Sequence, residues 1–209
     1  MDHTNIMTLK NNFLSISDSY ASIFLNFFGK AIGLVTIIFL AGKLDQNSFG
    51  MYSYLIALSG FIAVFLKLGL PPYLTKLTSS LLANQSYSKI KSLWKKVNNF
   101  LLYTLILILI LSSAIYFFNF KLLQNFNLLD LSICLLIAFS ISLNEIRSSM
   151  IRGMGHIKSG LIPENFIRPI LFIICLYFAF NLNNFNLTLI LIIFLLAYIS
   201  SNIVNQFII

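Results

Sequence analysis

Apolar runs about twenty residues long recur six times along this chain, at roughly residues 21–41, 50–70, 97–118, 128–149, 160–180 and 185–203. At about 1.5 Å of rise per residue, each is long enough as a helix to cross the ~30 Å hydrocarbon core of a bilayer. Strands of a membrane barrel would alternate apolar and polar positions over about ten residues, whereas the run Leu101–Leu111 is apolar all round. The reading is an all-α membrane protein, a bundle of about six transmembrane helices, with residues 1–209 forming a single lobe.

Composition supports this. Of the 209 residues 58% are hydrophobic and 10% charged, where an average soluble domain is about 25% charged, so too few charges exist to clothe a water-soluble surface. The net charge of +8 does not point to nucleic acid, because the basic residues lie mostly between apolar spans, where anionic lipid headgroups would meet them. Cys134 and Cys175 both fall inside apolar runs and read as small buried hydrophobes, neither a disulfide nor a metal pair. Residues 1–20 lack the short basic-then-apolar layout of a cleavable signal peptide, so the first span is expected in the mature protein.

The connections are unequal in charge. Lys76, Lys89, Lys91, Lys95 and Lys96 lie between spans two and three with no acid, and Arg152 and Lys158 between spans four and five. The opposite connections carry Lys43 with Asp45, then Lys121 with Asp130, then no charge around 181–186. By the positive-inside rule both termini are cytoplasmic. The stretch 72–96 interleaves Leu77, Leu81, Leu82, Ile90, Leu93 and Trp94 with its lysines, the pattern of an amphipathic stretch on the inner surface with Trp94 at headgroup depth.

Charges inside spans cost at least ~2.5 kcal/mol each at a helix centre unless they face protein or water, so they are the most informative residues. Lys30 shares a helix face with Ser22, Asn26 and Gly33, and that stripe should point at a polar cavity or a partner helix. Gly29 and Gly33 form a small-xxx-small pair permitting close helix approach. Glu164 and Arg168, four residues apart, can pair on one face; alternatively Arg168 supplies a bidentate anion contact. Pro163 and Pro169 flank them, and an interior proline frees a carbonyl and bends a helix where a cavity or hinge can form. Glu145, Arg147 and Arg152 crowd the inner edge of span four, where the arginines can reach headgroups, as Lys67 can from span two. His156 has no companion at metal-ligand spacing, and no phosphate loop, zinc cluster or nucleophile elbow is present. A carrier without cofactor or metal, rather than an enzyme, is the expectation. Lys30, Arg168 and Lys67 facing one another would make a cationic interior suited to an anionic substrate such as a pyrophosphate headgroup.

Three stretches are familiar. Phe49-Gly50-Met51-Tyr52, Leu68-Gly69-Leu70-Pro71, and Ile151-Arg152-Gly153-Met154-Gly155 before Pro163-Glu164-Asn165-Phe166-Ile167-Arg168-Pro169 resemble bacterial polysaccharide-biosynthesis membrane proteins, the O-antigen and lipid-linked oligosaccharide flippases. These belong to the superfamily that also holds the MATE multidrug exporters. The resemblance implies two six-helix lobes around a cavity that opens alternately to either side of the inner membrane. It implies an undecaprenyl-pyrophosphate-linked oligosaccharide as substrate and offers Lys30, Arg152 and Arg168 as the cations that meet its phosphates; the residues themselves add Asn26 and Lys67 to the lumen candidates, and Glu145 and Glu164, the acids near spans four and five, as ion-pair or coupling groups. Family members often have an acid where Lys67 stands, and they run to twelve or more helices. Six spans match only the N-terminal lobe, so a truncated gene product is expected, or else a half-transporter that dimerises or joins a second chain, or a cut segment. A MATE-type exporter of drugs or cations should carry an acid deep in span one, where Lys30 stands; a non-transporting membrane partner is the remaining alternative.

Overall fold

The structure, a computed structural model, describes residues 3–118, 127–181 and 186–208, with side chains described for 20–113, 127–181 and 186–208. Among these residues it is all helix: α1 (His3–Lys43), α2 (Gln46–Lys67), α3 (Leu70–Ala83), α4 (Tyr87–Phe118), α5 (Leu128–Gly153), α6 (Ile157–Ile162), a π turn (Pro163–Ile167), α7 (Arg168–Asn181) and α8 (Leu187–Ile208). Six stretches are long and apolar enough to cross a membrane: Tyr20–Lys43, Gln46–Lys67, Tyr87–Ser113, Leu128–Gly153, Ile157–Asn181 and Leu187–Ile208. They coincide with the six runs in the sequence, since in hydrocarbon a helix satisfies its own backbone groups and so persists wherever the chain stays apolar. Lys121 lies outside the described residues.

Helix α5 is the hub. It touches α2, α3, α4, α6 and α8 and is the most buried of the six spans. Two apolar clusters meet on it. One joins Leu40, Leu55, Cys134, Ile137, Leu176 and Ile190 from α1, α2, α5, α7 and α8; the other joins Leu74, Val97, Leu101, Ile146 and Met150 from α3, α4 and α5. Cys134 belongs to the core, its thiol donating to the Leu55 carbonyl at 3.2 Å. Cys175 differs from expectation: it faces outward, because an apolar run in a bundle has a lipid side as well as a protein side.

The lysine-rich segment is two helices rather than one surface stretch. Leu68 and Gly69 both take left-handed backbone angles (φ 45° and 73°), and Pro71 and Pro72 open α3 immediately after them, so the chain turns sharply at the end of α2. Helix α3 then docks on α5 through buried Leu74 and Thr78, and Thr75 donates to the Ser149 carbonyl at 3.1 Å. Lys76 lies on α3, and after a turn at 84–86 Lys89, Lys91, Lys95 and Lys96 fall on α4, which runs without a break into the third span. The docking depends on Gly153, where a Cβ would collide with the Thr78 hydroxyl and come within 2.7 Å of the Thr75 carbonyl oxygen.

At the other end of α2, Asp45 caps the helix by accepting the Ser48 N–H at 3.1 Å. Its hydrogen bonds with Ser48 hold the carboxyl below its ordinary value of 3.8. Ionised Asp45 therefore contributes its full stabilisation above that ordinary value and loses it as pH falls through the lowered one.

Two outcomes follow from these contacts. Gly153→Val should prise α3 from α5 and cost about 1–3 kcal/mol of overpacking, seen as a lower midpoint of thermal unfolding in detergent. Gly60→Ala, where a Cβ meets nothing within 4 Å, should leave that midpoint unchanged or raise it, since alanine favours a helix interior by roughly 0.5–1 kcal/mol.

Candidate functional site

The fifth span is interrupted where its prolines stand. Pro163 has no N–H to give, and the Arg168 N–H reaches back five residues to the Pro163 carbonyl, so residues 163–167 form a wide turn with one residue more than an α turn holds. Helix α1 lies against this turn. Gly29 permits the approach, because a Cβ there would stand 2.7 Å from the Asn165 carbonyl oxygen, and Asn165 donates to the Asn26 side chain at 2.9 Å. Gly33, expected to share that contact, does not: a Cβ there would meet nothing within 4 Å, and the residue lines a cleft instead.

That cleft, of about 400 Å³, opens between α1, α2, α7 and α8. Thr36, Tyr52 and Ser53 supply hydroxyls to its wall, Phe172 and Phe194 supply rings, and Arg168 supplies the charge. Arg168 does not form the ion pair with Glu164 that their spacing suggested. Its Nη1 donates to the Tyr198 hydroxyl at 2.5 Å, and its guanidinium lies 4.7 Å from the centre of the same ring. Tyr198 is buried and stacks edge-on with Phe194, which stacks edge-on with Phe172, so an aromatic row backs the guanidinium. The wide turn rotates Arg168 relative to Glu164 and aims it across to α8. A guanidinium has five donors, so its hydrogen bond to Tyr198 leaves others for a ligand.

Beside the cleft the charges gather. Glu164 is under the electrostatic influence of Arg168, Glu145, Arg152 and Lys67. Lys67, expected to reach headgroups, instead joins Glu145 in an ion pair at 2.6 Å between α2 and α5, with 15% and 33% of the two side chains exposed. Arg152 donates from Nε to the Ser148 carbonyl at 3.3 Å, one turn back on α5. These side chains turn to protein partners because an unpaired charge away from water costs more than the rotamer freedom lost in pairing. Lys30 is placed differently. It is exposed on α1, one turn from Asn26, and is not among the charges acting on Glu164.

Several polar contacts went unread in the sequence. Asn144 accepts from Asn205 at 2.6 Å and from Ser201 at 3.2 Å, and Asn202 donates to the Ser140 carbonyl at 3.1 Å, all between α5 and α8. Arg147, expected at the headgroups, donates to the Asn202 carbonyl at 3.3 Å and lies 5.8 Å from the Trp94 ring centre. Asp130, expected in a connection, is buried in the first turn of α5 and accepts from Thr188 at 2.7 Å. The signal for the α5–α8 seam was present: Ser201 and Asn205 stand four apart in an otherwise apolar span. Tyr198 carried none, being one aromatic ring among many.

The family model for polysaccharide biosynthesis proteins matches residues 16–209. The chain belongs to that family. No curated protein and no solved structure matches it. With six apolar helices of membrane length, it is a multi-pass membrane polysaccharide biosynthesis protein. Among the described residues no group of three or more His, Cys, Asp or Glu side chains is placed to hold a metal ion. The chemistry on offer in this polysaccharide biosynthesis protein is thus a cationic donor, hydroxyls and rings around an open cleft, with a paired charge cluster at its edge.

Neutralising one half of the Lys67–Glu145 pair should be costly because the other charge is left half-buried. Lys67→Met is expected to lower stability by about 1–3 kcal/mol, and the exchanged pair Lys67→Glu with Glu145→Lys should recover most of it, as read by detergent unfolding curves.

Proposed function

We propose that this polysaccharide biosynthesis protein is a carrier, without enzymatic activity of its own, that moves an anionic lipid-linked glycan from the inner to the outer leaflet of a bacterial cytoplasmic membrane. The observation that carries the reading is Arg168, held by Tyr198 at the wall of a cleft whose other polar groups are hydroxyls. A fixed guanidinium with spare donors matches phosphate oxygens better than it matches a cation, and hydroxyls and rings suit sugar. The family's place in polysaccharide biosynthesis supplies the glycan. In the undecaprenyl-pyrophosphate-linked oligosaccharide we name as substrate, the headgroup would pass through polar surroundings while the lipid tail stays in the hydrocarbon.

Lys30 and Asn26 complete the assignment. An ammonium at the middle of a span needs polar surroundings, and on the exposed face of α1 these come from a second six-helix unit, a homodimer partner or another chain, facing this one across the lumen. Lys67, Arg152, Glu145 and Glu164 lie at the lysine-rich end, which the charge asymmetry assigns to the cytoplasm together with both termini. There Glu164, within reach of both cations and an anion, is the acid we assign to coupling. A MATE-type exporter of cations would want an acid deep in the first span, where Lys30 stands.

Two measurements test this. Purified protein should bind farnesyl pyrophosphate in preference to cationic dyes, and Arg168→Ala should weaken that binding by about 10–100-fold, the worth of lost charge-assisted hydrogen bonds, with Arg168→Lys intermediate. Preferential dye binding would instead select the cation exporter. Cysteines placed at 30 and 168 in a background of Cys134→Ala and Cys175→Ser should react with water-borne thiol reagents from one side of the membrane; protection of both from either side would remove the lumen.

A further inference from the structure

A second cleft, of about 640 Å³, lies at the lysine-rich end of the bundle and shares no lining residue with the Arg168 cleft. It opens between the start of α4 and the ends of α3, α5 and α8. Its floor is apolar and soft, made by Trp94, Ile90, Met150 and Met154, and its rim is polar, with Lys91, His156 and Gln206. Such a volume is within the roughly 300–1,000 Å³ range of small-molecule sites. Methionines adapt to a flexible chain, and a tryptophan at a polar rim is at home where hydrocarbon meets headgroup.

The charge that α3 and α4 bring to it has one sign. Lys89, Lys91 and Lys95 are exposed on the first turns of α4, and no acid occurs in the sequence from Leu70 to Leu129. Behind Trp94 stands the Arg147 guanidinium, 5.8 Å from the ring centre, with its Nε buried and without a partner. We propose that this cleft is a binding site for one anionic phospholipid of the surrounding leaflet, its acyl chain against Trp94, Met150 and Met154 and its phosphate at Lys91 and His156. Basic pockets between spanning helices on a cytoplasmic face select anionic headgroups in this way. The occupant is a resident lipid, distinct from the carried substrate.

Trp94 is the single tryptophan of the chain, so fluorescence excited selectively at tryptophan, on the red side of tyrosine absorption, reads this cleft. The whole 209-residue chain is reconstituted in phosphatidylcholine vesicles containing rising fractions of phosphatidylglycerol or phosphatidylcholine with brominated chains, which quench tryptophan on contact. Half-maximal quenching is expected at a mole fraction at least about fivefold lower for the anionic lipid, since one charge-assisted contact of ~1 kcal/mol corresponds to that ratio. Lys91→Gln should remove most of the preference, while Lys76→Gln, an exposed lysine on α3 outside the cleft, should keep it. Inorganic phosphate, which shares the charge but lacks a chain, should not relieve quenching by the anionic lipid. Equal quenching by the two lipids, an unaltered preference in Lys91→Gln, an equal loss in Lys76→Gln, or displacement by phosphate would each overturn the proposal.

Discussion

Hydrocarbon offers no hydrogen bonds, and this single constraint arranges the molecule. Backbone groups are satisfied by making every span helical. Side-chain polar groups have no such internal remedy, so they gather where helices touch. Helix α5 carries the densest set of them, and neighbouring helices assemble on its faces: α8 through Asn144 and Ser140, α2 through Glu145, α3 through Ser149 and Gly153. Apolar clusters fill the spaces between, but lipid tails would solvate those residues equally well. What separates one helix arrangement from another is therefore the polar stitching.

The same reasoning accounts for the site. Arg168 could pair with Glu164 on its own helix, yet it crosses to Tyr198 on α8. Crossing joins α7 to α8 and leaves the guanidinium at the wall of a cleft, whereas a pair within one helix would join nothing. Lys67 and Glu145 do the corresponding work between α2 and α5. Charged groups that would be expensive in isolation thus act as the joints of the bundle, and one joint lines an open cleft.

The spans were plainly legible, because length and apolarity are local properties of a sequence. So was the disturbance at Pro163 and Pro169, which became the wide turn. Five of the nominated charges, Lys67, Glu145, Arg152, Glu164 and Arg168, do come together, since they share one end of neighbouring spans. Their individual partners were not legible. Whether Lys67 meets a headgroup or Glu145 depends on which face of α2 turns toward α5, and that is decided by packing across 78 positions of chain. Tyr198 was invisible for the same reason, as was the docking of α3, which hangs on the absence of a side chain at Gly153.

The turn at 163–167 has a geometric meaning. A surplus residue shifts the facing of everything that follows it: the side chains of α7 stand at a different angle about the helix axis from the one an unbroken α-helix would give them. Pro169, with no N–H to give, cannot continue the wide pattern and closes it on that side, while Asn165 leans on Gly29 from within it. An unbroken α-helix through the same residues would present the guanidinium of Arg168 in another direction.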